Sequence, residues 1–235
     1  MGYFSYLMYY NWSYLVFMLP CIIFTLAVQA YMNSTFRKYS SIRNSRNLTG
    51  AQAAERVLMQ NGVTGVRIEQ VRGDFTDHFD PRTNVIRLSE PVYNSASIAA
   101  VGVACHEAGH AVQHAQGYVP NKIRSLILPA ANIGSKLSWI FIILGLITSA
   151  LQPLLYVGII LFSLAVLFTI ATLPVEFNAS SRALRCIRET GMLSDNEYTG
   201  AKRTLQAAAL TYVASAATAV VQLLRLLLIA NSRRR

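Results

Sequence analysis

The stretch His106-Glu107-Ala108-Gly109-His110 places two histidines four residues apart with a glutamate directly after the first, the pattern H-E-x-x-H. On an α-helix, residues four apart lie one turn above each other on the same face, so both imidazoles can converge on one metal ion. Glu107 projects from the adjoining face, where it can take a proton from a metal-activated water and pass it to a leaving amine. This is the chemistry of a zinc-dependent peptidase, and it needs a third protein ligand from elsewhere in the chain. Ala108 and Gly109 are small, and the run Ser97 to Val112 is rich in Ala, Val and Ile, as suits a buried site helix.

His114 is not the third ligand by spacing. It lies eight residues beyond His106, ~12 Å of helix rise, too far for one ion with bonds of ~2.1 Å. The extended pattern H-E-x-x-H-x-x-G-x-x-H fails, because Gln113 stands where it requires Gly and Gln116 where it requires His. Glu176 is the lone carboxylate between Glu107 and Glu189 and follows a long apolar run. It is the candidate third ligand; the other reading is an interfacial glutamate paired with Arg182 or Arg185.

The elements that must carry these residues are marked by charge. Residues 1–36, 137–175 and 204–224 contain no Asp, Glu, Lys or Arg. A bilayer core ~30 Å thick needs ~20 apolar helical residues to cross it. The first and last blocks therefore each supply one span and the middle block about two, with a hairpin tip at Ser149 to Pro153. The chain is expected to be a mostly α membrane protein, a bundle of three to four spans with a small cytoplasmic α+β catalytic unit of zincin-like type.

Expected divisions are an N-terminal anchor at 1–36, an α+β unit at 37–125, a transmembrane hairpin at 126–175, a third-ligand helix at 176–206 and a C-terminal membrane helix at 207–235. Together they make one catalytic domain. Without a basic leader or an A-x-A site, the first segment reads as an uncleaved anchor rather than a signal peptide. Tyr3, Phe4, Tyr6, Tyr9 and Tyr10 suit a membrane interface. Arg37, Lys38, Arg43 and Arg46 after the first span place the catalytic unit in the cytoplasm by the positive-inside tendency. Two further crossings return Glu176 to that face. Arg233-Arg234-Arg235 would then lie outside if the last helix crosses fully, against the same tendency. Arg225 interrupts that helix and either snorkels or pairs within the bundle.

Within the α+β unit, Thr49-Gly50-Ala51-Gln52 has capping-box spacing and opens a helix that closes near Asn61-Gly62. Gly65 to Val71 and Asn84 to Leu88 read as strands around a polar, turn-rich connection. The site helix begins near Asn94 to Ser97 and stops at Gly117.

The formal net charge is +10. These cations flank the apolar blocks, which favours anionic headgroups and membrane orientation over nucleic acid. Three cysteines, with no C-x-x-C pair, argue against a disulfide framework, and Cys105 reads as a packed small residue.

Over the whole chain, the sequence resembles the YugP-like family, small bacterial membrane proteins assigned as neutral zinc metallopeptidases. The matching stretches are Thr76-Asp77-His78-Phe79-Asp80-Pro81, Val85-Ile86-Arg87-Leu88-Ser89, His106 to His110 and Leu173-Pro174-Val175-Glu176-Phe177. The resemblance implies an endopeptidase of gluzincin type with one zinc ion, His106, His110 and Glu176 as ligands and Glu107 as catalytic base. Gluzincins commonly carry Asp four residues after the ligand glutamate, to orient a metal-bound histidine; here that position is Ser180. A differently built support is expected, from Asp77 or Asp80.

A donor to the developing oxyanion is also wanted. His78 is the first candidate, against a turn-capping histidine, and Arg182 the second, against a membrane-flanking charge. The strand with Ile86, Arg87 and Leu88 is a candidate edge that aligns an extended protein or peptide substrate, against an ordinary half-buried strand. Two rival functions are a site-2-type intramembrane protease and a non-catalytic zinc-containing membrane adaptor. The first lacks an Asp ligand in a later membrane helix. The second leaves Glu107 without a task. The expected location is the inner or plasma membrane, multi-pass, with the active site on the cytoplasmic face.

Overall fold

A computed structural model describes residues 3–147 and 149–232, with the side chains of residues 3–11, 13 and 149 outside the description. The aromatic side chains from Tyr3 to Tyr10 and the closing arginines at 233–235 therefore lie outside the described residues.

The chain is mostly helical, with one small sheet. In order come α1 (Tyr3–Ser40), α2 (Gly50–Gln60), β1 (Arg67–Val71), β2 (His78–Asp80), β3 (Val85–Ser89), α3 (Glu90–Tyr93), α4 (Ile98–Ala115), α5 (Val119–Ile147), α6 (Gln152–Glu189) and α7 (Asp195–Ser232). Among the described residues, four segments are long and apolar enough to cross a membrane: Tyr14–Ser40 of α1, and α5, α6 and α7. A single 3-10 turn, Ser149–Leu151, separates α5 from α6.

The chain divides into two compact units. The first comprises Met1–Val28, Lys122–Leu173 and Thr211–Arg235. Its core gathers Ile142, Leu155, Ile159, Leu226 and Ala230. Arg225 does not snorkel: it is buried, its guanidinium carbon 5.0 Å from the centre of the Tyr14 ring. A cation against an aromatic face offsets part of its lost hydration.

The second unit comprises Gln29–Asn121 and Pro174–Leu210. Here α2 opens with the capping box that its sequence announces: the Thr49 hydroxyl accepts from the Gln52 amide and the Gln52 side chain accepts from the Thr49 amide. Ala53, Ala54, Val57 and Leu58 recur at helical spacing and pack into one core with Ile86 and Leu88 of β3 and the alanine-rich face of α4.

The sheet order is β1-β3-β2, with β1 parallel and β2 antiparallel to β3. This overturns the edge-strand expectation for Ile86, Arg87 and Leu88. The strand β3 is central and paired on both sides, so its backbone cannot take an added strand. Ile86 and Leu88 are fully buried. Arg87 is spent on Asp80, at 3.1 Å. The stretch from Asp74 to Thr83, a polar and turn-rich connection by its sequence, contains the three-residue strand β2.

Candidate metal centre

The site helix α4 is fixed at its start by several independent bonds. Ser97 caps it, its hydroxyl accepting from the Ala100 amide at 3.2 Å. The Ile98 amide donates to the Ile42 carbonyl at 3.0 Å and the Asn44 amide to the Ala96 carbonyl at 2.8 Å. At the other end Gly117 takes φ +63°, a backbone region that side chains disfavour, and stops the helix.

Helix α6 crosses α4 at Gly109. A Cβ placed on Gly109 would sit 2.7 Å from the Ala179 carbonyl oxygen, closer than packed atoms tolerate. The absence of a side chain there lets two backbones approach and brings α6 against the histidine-bearing helix. Ala104, Ala108, Ala179 and Ala183, all buried, keep the rest of the crossing thin.

That approach assembles three donor atoms. His106 Nε2 and His110 Nε2 are 3.1 Å apart, and Glu176 Oε2 lies 3.2 Å from the first and 3.5 Å from the second. Tetrahedral ligands with bonds of ~2.1 Å stand about 3.4 Å from one another, so the triangle has the size of one face of a zinc tetrahedron. Two imidazole nitrogens and one carboxylate oxygen are donors that zinc accepts, and three of them leave a fourth position open. Glu176 is 4 % exposed and pairs with neither Arg182 nor Arg185 among the recorded ion pairs. Burial acts to lower the His110 pKa, but the hydrogen bond with Glu176 and the charges of Glu107 and Glu176 outweigh it, and the pKa stands above its ordinary value. Glu107, 8 % exposed, is thus close enough for its charge to be felt at His110.

The second nitrogen of each ring is also engaged, which settles which nitrogen faces the centre. Arg182 can only donate, and its Nε reaches Asn178 Oδ1 at 2.7 Å. Gln113 Nε2 donates to that same oxygen at 3.0 Å and to the Val175 carbonyl at 2.8 Å. Its Oε1 is therefore the atom 3.1 Å from His110 Nδ1, so Nδ1 carries the proton and Nε2 presents its lone pair. His106 Nδ1 lies 3.0 Å from Ser180 Oγ. Ser180 and Gln113 thus do the orienting expected of Asp77 or Asp80.

The two aspartates build the sheet instead. Asp77 accepts from the Ser89 amide at 2.8 Å and from its hydroxyl, and burial, outweighing these bonds, raises its pKa. Asp80 accepts from Thr83, the Arg82 amide and Arg87, which hold its pKa down at about 2. Together they close the β2–β3 hairpin, so the motif around them is a structural one.

Neither expected oxyanion donor is brought to the triangle. His78 is exposed, its Nδ1 on the Thr76 carbonyl at 2.7 Å. Arg182 bonds Asn178 and, at 2.5 Å, Gln116 Oε1, and its guanidinium carbon lies 5.8 Å from the centre of the Tyr118 ring. It touches the site only through the Asn178–Gln113 chain. His114 packs on Phe79, ring centres 5.7 Å apart, away from any ligand role. Cys105 is fully buried, its thiol pKa pushed well above the ordinary range by burial and then by Cys186. Gln113 is legible in the sequence as a polar residue three positions after His110, a spacing that puts its amide on the same helix face as the imidazole.

A family described as "Putative neutral zinc metallopeptidase" matches residues 14–231. The chain belongs to that family. Its relative "Putative membrane protease YugP" from Bacillus subtilis (strain 168) is 47% identical over 201 residues, covering 86% of this chain and 89% of the relative. No solved structure matches. Family membership extends across the donor triangle, the two orienting residues and all four apolar helices. The family and relative names support a protease-like function, and the donor set on α4 and α6 fits the zinc that the family name carries.

Proposed function

We propose that this chain is a multi-pass membrane endopeptidase that holds one zinc ion through His106, His110 and Glu176 and cleaves protein or peptide substrates with Glu107 as general base. The observation that carries this reading is the triangle of donors with edges of 3.1, 3.2 and 3.5 Å beside a buried glutamate on the same helix. A bound zinc ion supplies Lewis acidity, lowering the pKa of a water and polarising a carbonyl. Glu107 takes the proton of the attacking water and returns it to the leaving nitrogen. Gln113 and Ser180 hold the imidazoles so that Nε2 of each faces inward. With β3 paired on both sides, β1 and β2 are the two sheet edges, and β2, whose Phe79 packs on α4 through His114, is the one assigned to align an extended substrate.

Two further features favour this over its rivals. The histidines ride on α4, whose apolar face packs with α2 and β3, rather than on one of the four long apolar helices, which supports a site at the membrane's edge over an intramembrane one. A purely structural zinc would close all four positions and would not need Glu107. Arg37 and Lys38 in the last turn of α1, with Arg43 and Arg46 beyond it, support a cytoplasmic active site. Segments 37–125 and 176–206 are proposed as catalytic and segments 1–36, 126–175 and 207–235 as membrane segments, close to the division into two compact units at 29–121 with 174–210 and the remainder.

The test is zinc content and casein cleavage by purified protein in detergent. Glu107→Gln should keep its zinc and lose cleavage, and Glu176→Ala should lose most of both. Undiminished cleavage by Glu107→Gln overturns the mechanism.

A further inference from the structure

Outside the metal centre, a cavity of about 860 Å³ lies between α6, α7 and the end of α1, within the second unit. Its lining is graded. Phe177 on α6, Leu205 and Leu210 on α7 and Tyr31 on α1 form an apolar end. Arg185, Arg188 and Glu189 form the other, where Arg188 stacks on Tyr198 with 4.3 Å from its guanidinium carbon to the ring centre. Arg185 and Arg188 are exposed, so neither is committed to the core. In sequence, both α6 and α7 run from the apolar end into their charge-free stretches and from the charged end into polar termini. Ser180, whose hydroxyl faces His106, is part of the wall.

From this gradient we propose that the cavity is a binding site for an anionic phospholipid. The acyl chain lies along Phe177, Leu205 and Leu210, and the phosphate lies against Arg185 and Arg188. A cavity of this size is in the range of small-molecule sites. Its charged end holds two cations to one carboxylate, which complements a headgroup of net negative charge and discriminates against a zwitterionic one. A scattered membrane-flanking charge would give neither the adjoining apolar half, whose Tyr31, Phe177 and Leu210 stand exposed, nor the alignment of its polarity with two helices. A peptide substrate is the other conceivable occupant, but none of His106, Glu107, His110 or Glu176 lines the cavity. The proposal stands without the protease reading, because its readout is lipid retention.

The experiment is native mass spectrometry of the full chain in detergent, titrated with phosphatidylglycerol or phosphatidylcholine. The variants are Arg185→Ala with Arg188→Ala; a charge-matched control, Arg67→Ala with Arg72→Ala on the exposed sheet side; and Ala209→Phe, which fills the cavity. The wild type should retain phosphatidylglycerol preferentially. The Arg185/Arg188 variant should lose that preference by about 30-fold, two cations' worth. The control should keep it, and Ala209→Phe should retain less of either lipid at unchanged helicity. Equal loss in the control, no preference in the wild type, or a raised KM for casein in the Arg185/Arg188 variant with lipid retention intact would each overturn the proposal, the last in favour of a peptide groove.

Discussion

Arg182 Nε donates to Asn178 Oδ1 at 2.7 Å, and this bond determines which way round Gln113 must lie and hence which nitrogen of His110 is protonated. The guanidinium has no acceptor, so the ordering runs in one direction from Arg182 to the metal centre.

Gln113→Leu removes the acceptor for His110 Nδ1 and leaves the ring free to turn. Zinc affinity should fall by about 10- to 100-fold, in the range seen when such outer partners are lost. Competition with a chelator at fixed pH measures it. Arg182→Lys, which donates without the planar fork, should give a smaller loss in the same direction.

Gly109→Ala pits two effects against each other. Alanine gains about 1 kcal/mol in helix propensity, but its Cβ meets the Ala179 carbonyl at 2.7 Å. Overpacking against backbone costs about 1–3 kcal/mol, so the net effect is destabilising and pushes α6 away. Lower zinc content together with a lower Tm is expected; unchanged values in both would show that the crossing has slack.

Ser180→Ala should weaken zinc binding by about tenfold, the lower end of the range for such partners, since a hydroxyl is a neutral acceptor for His106 Nδ1–H. Ser180→Asp supplies a charged acceptor at the same place and should bind zinc more tightly than wild type. Isothermal titration of the two variants against wild type checks the order.

Asp80 links the β2–β3 turn to Arg87, and its pKa is about 2 in the folded protein against an ordinary 3.8. A depressed carboxyl pKa stabilises the fold above the unfolded value, and that contribution is lost as pH falls through the folded one. The Tm difference between wild type and Asp80→Asn should be full near neutral pH, shrink below 3.8 and vanish only once the pH has fallen below about 2. A difference that persists into acid would assign it to packing instead.

Much of the site was legible because its signals are local. The H-E-x-x-H spacing, the Ser97 cap, the Thr49–Gln52 box and the Gly117 stop each depend on a few adjacent residues. Glu176 was legible for a different reason, being the single carboxylate in a long interval. What failed was non-local. Strand order depends on which edges meet in space, so nothing within Val85–Ser89 itself marks β3 as the central strand. A three-residue strand within a polar stretch has too few residues to show alternation. Ser180 was noticed only as a missing aspartate, since its bond to His106 depends on how closely α4 and α6 cross.

The triangle joins residues 70 positions apart in the chain. Closing such a loop has a real entropic cost, and in small zinc-nucleated domains the ion itself meets it. Here the meeting of Gly109 with Ala179, and the alanine seam beside it, holds the loop shut through van der Waals contact. A zinc ion held there would be a guest in a finished socket rather than the clasp of the fold, and stripping it should abolish the proposed cleavage while the helices stay where they are.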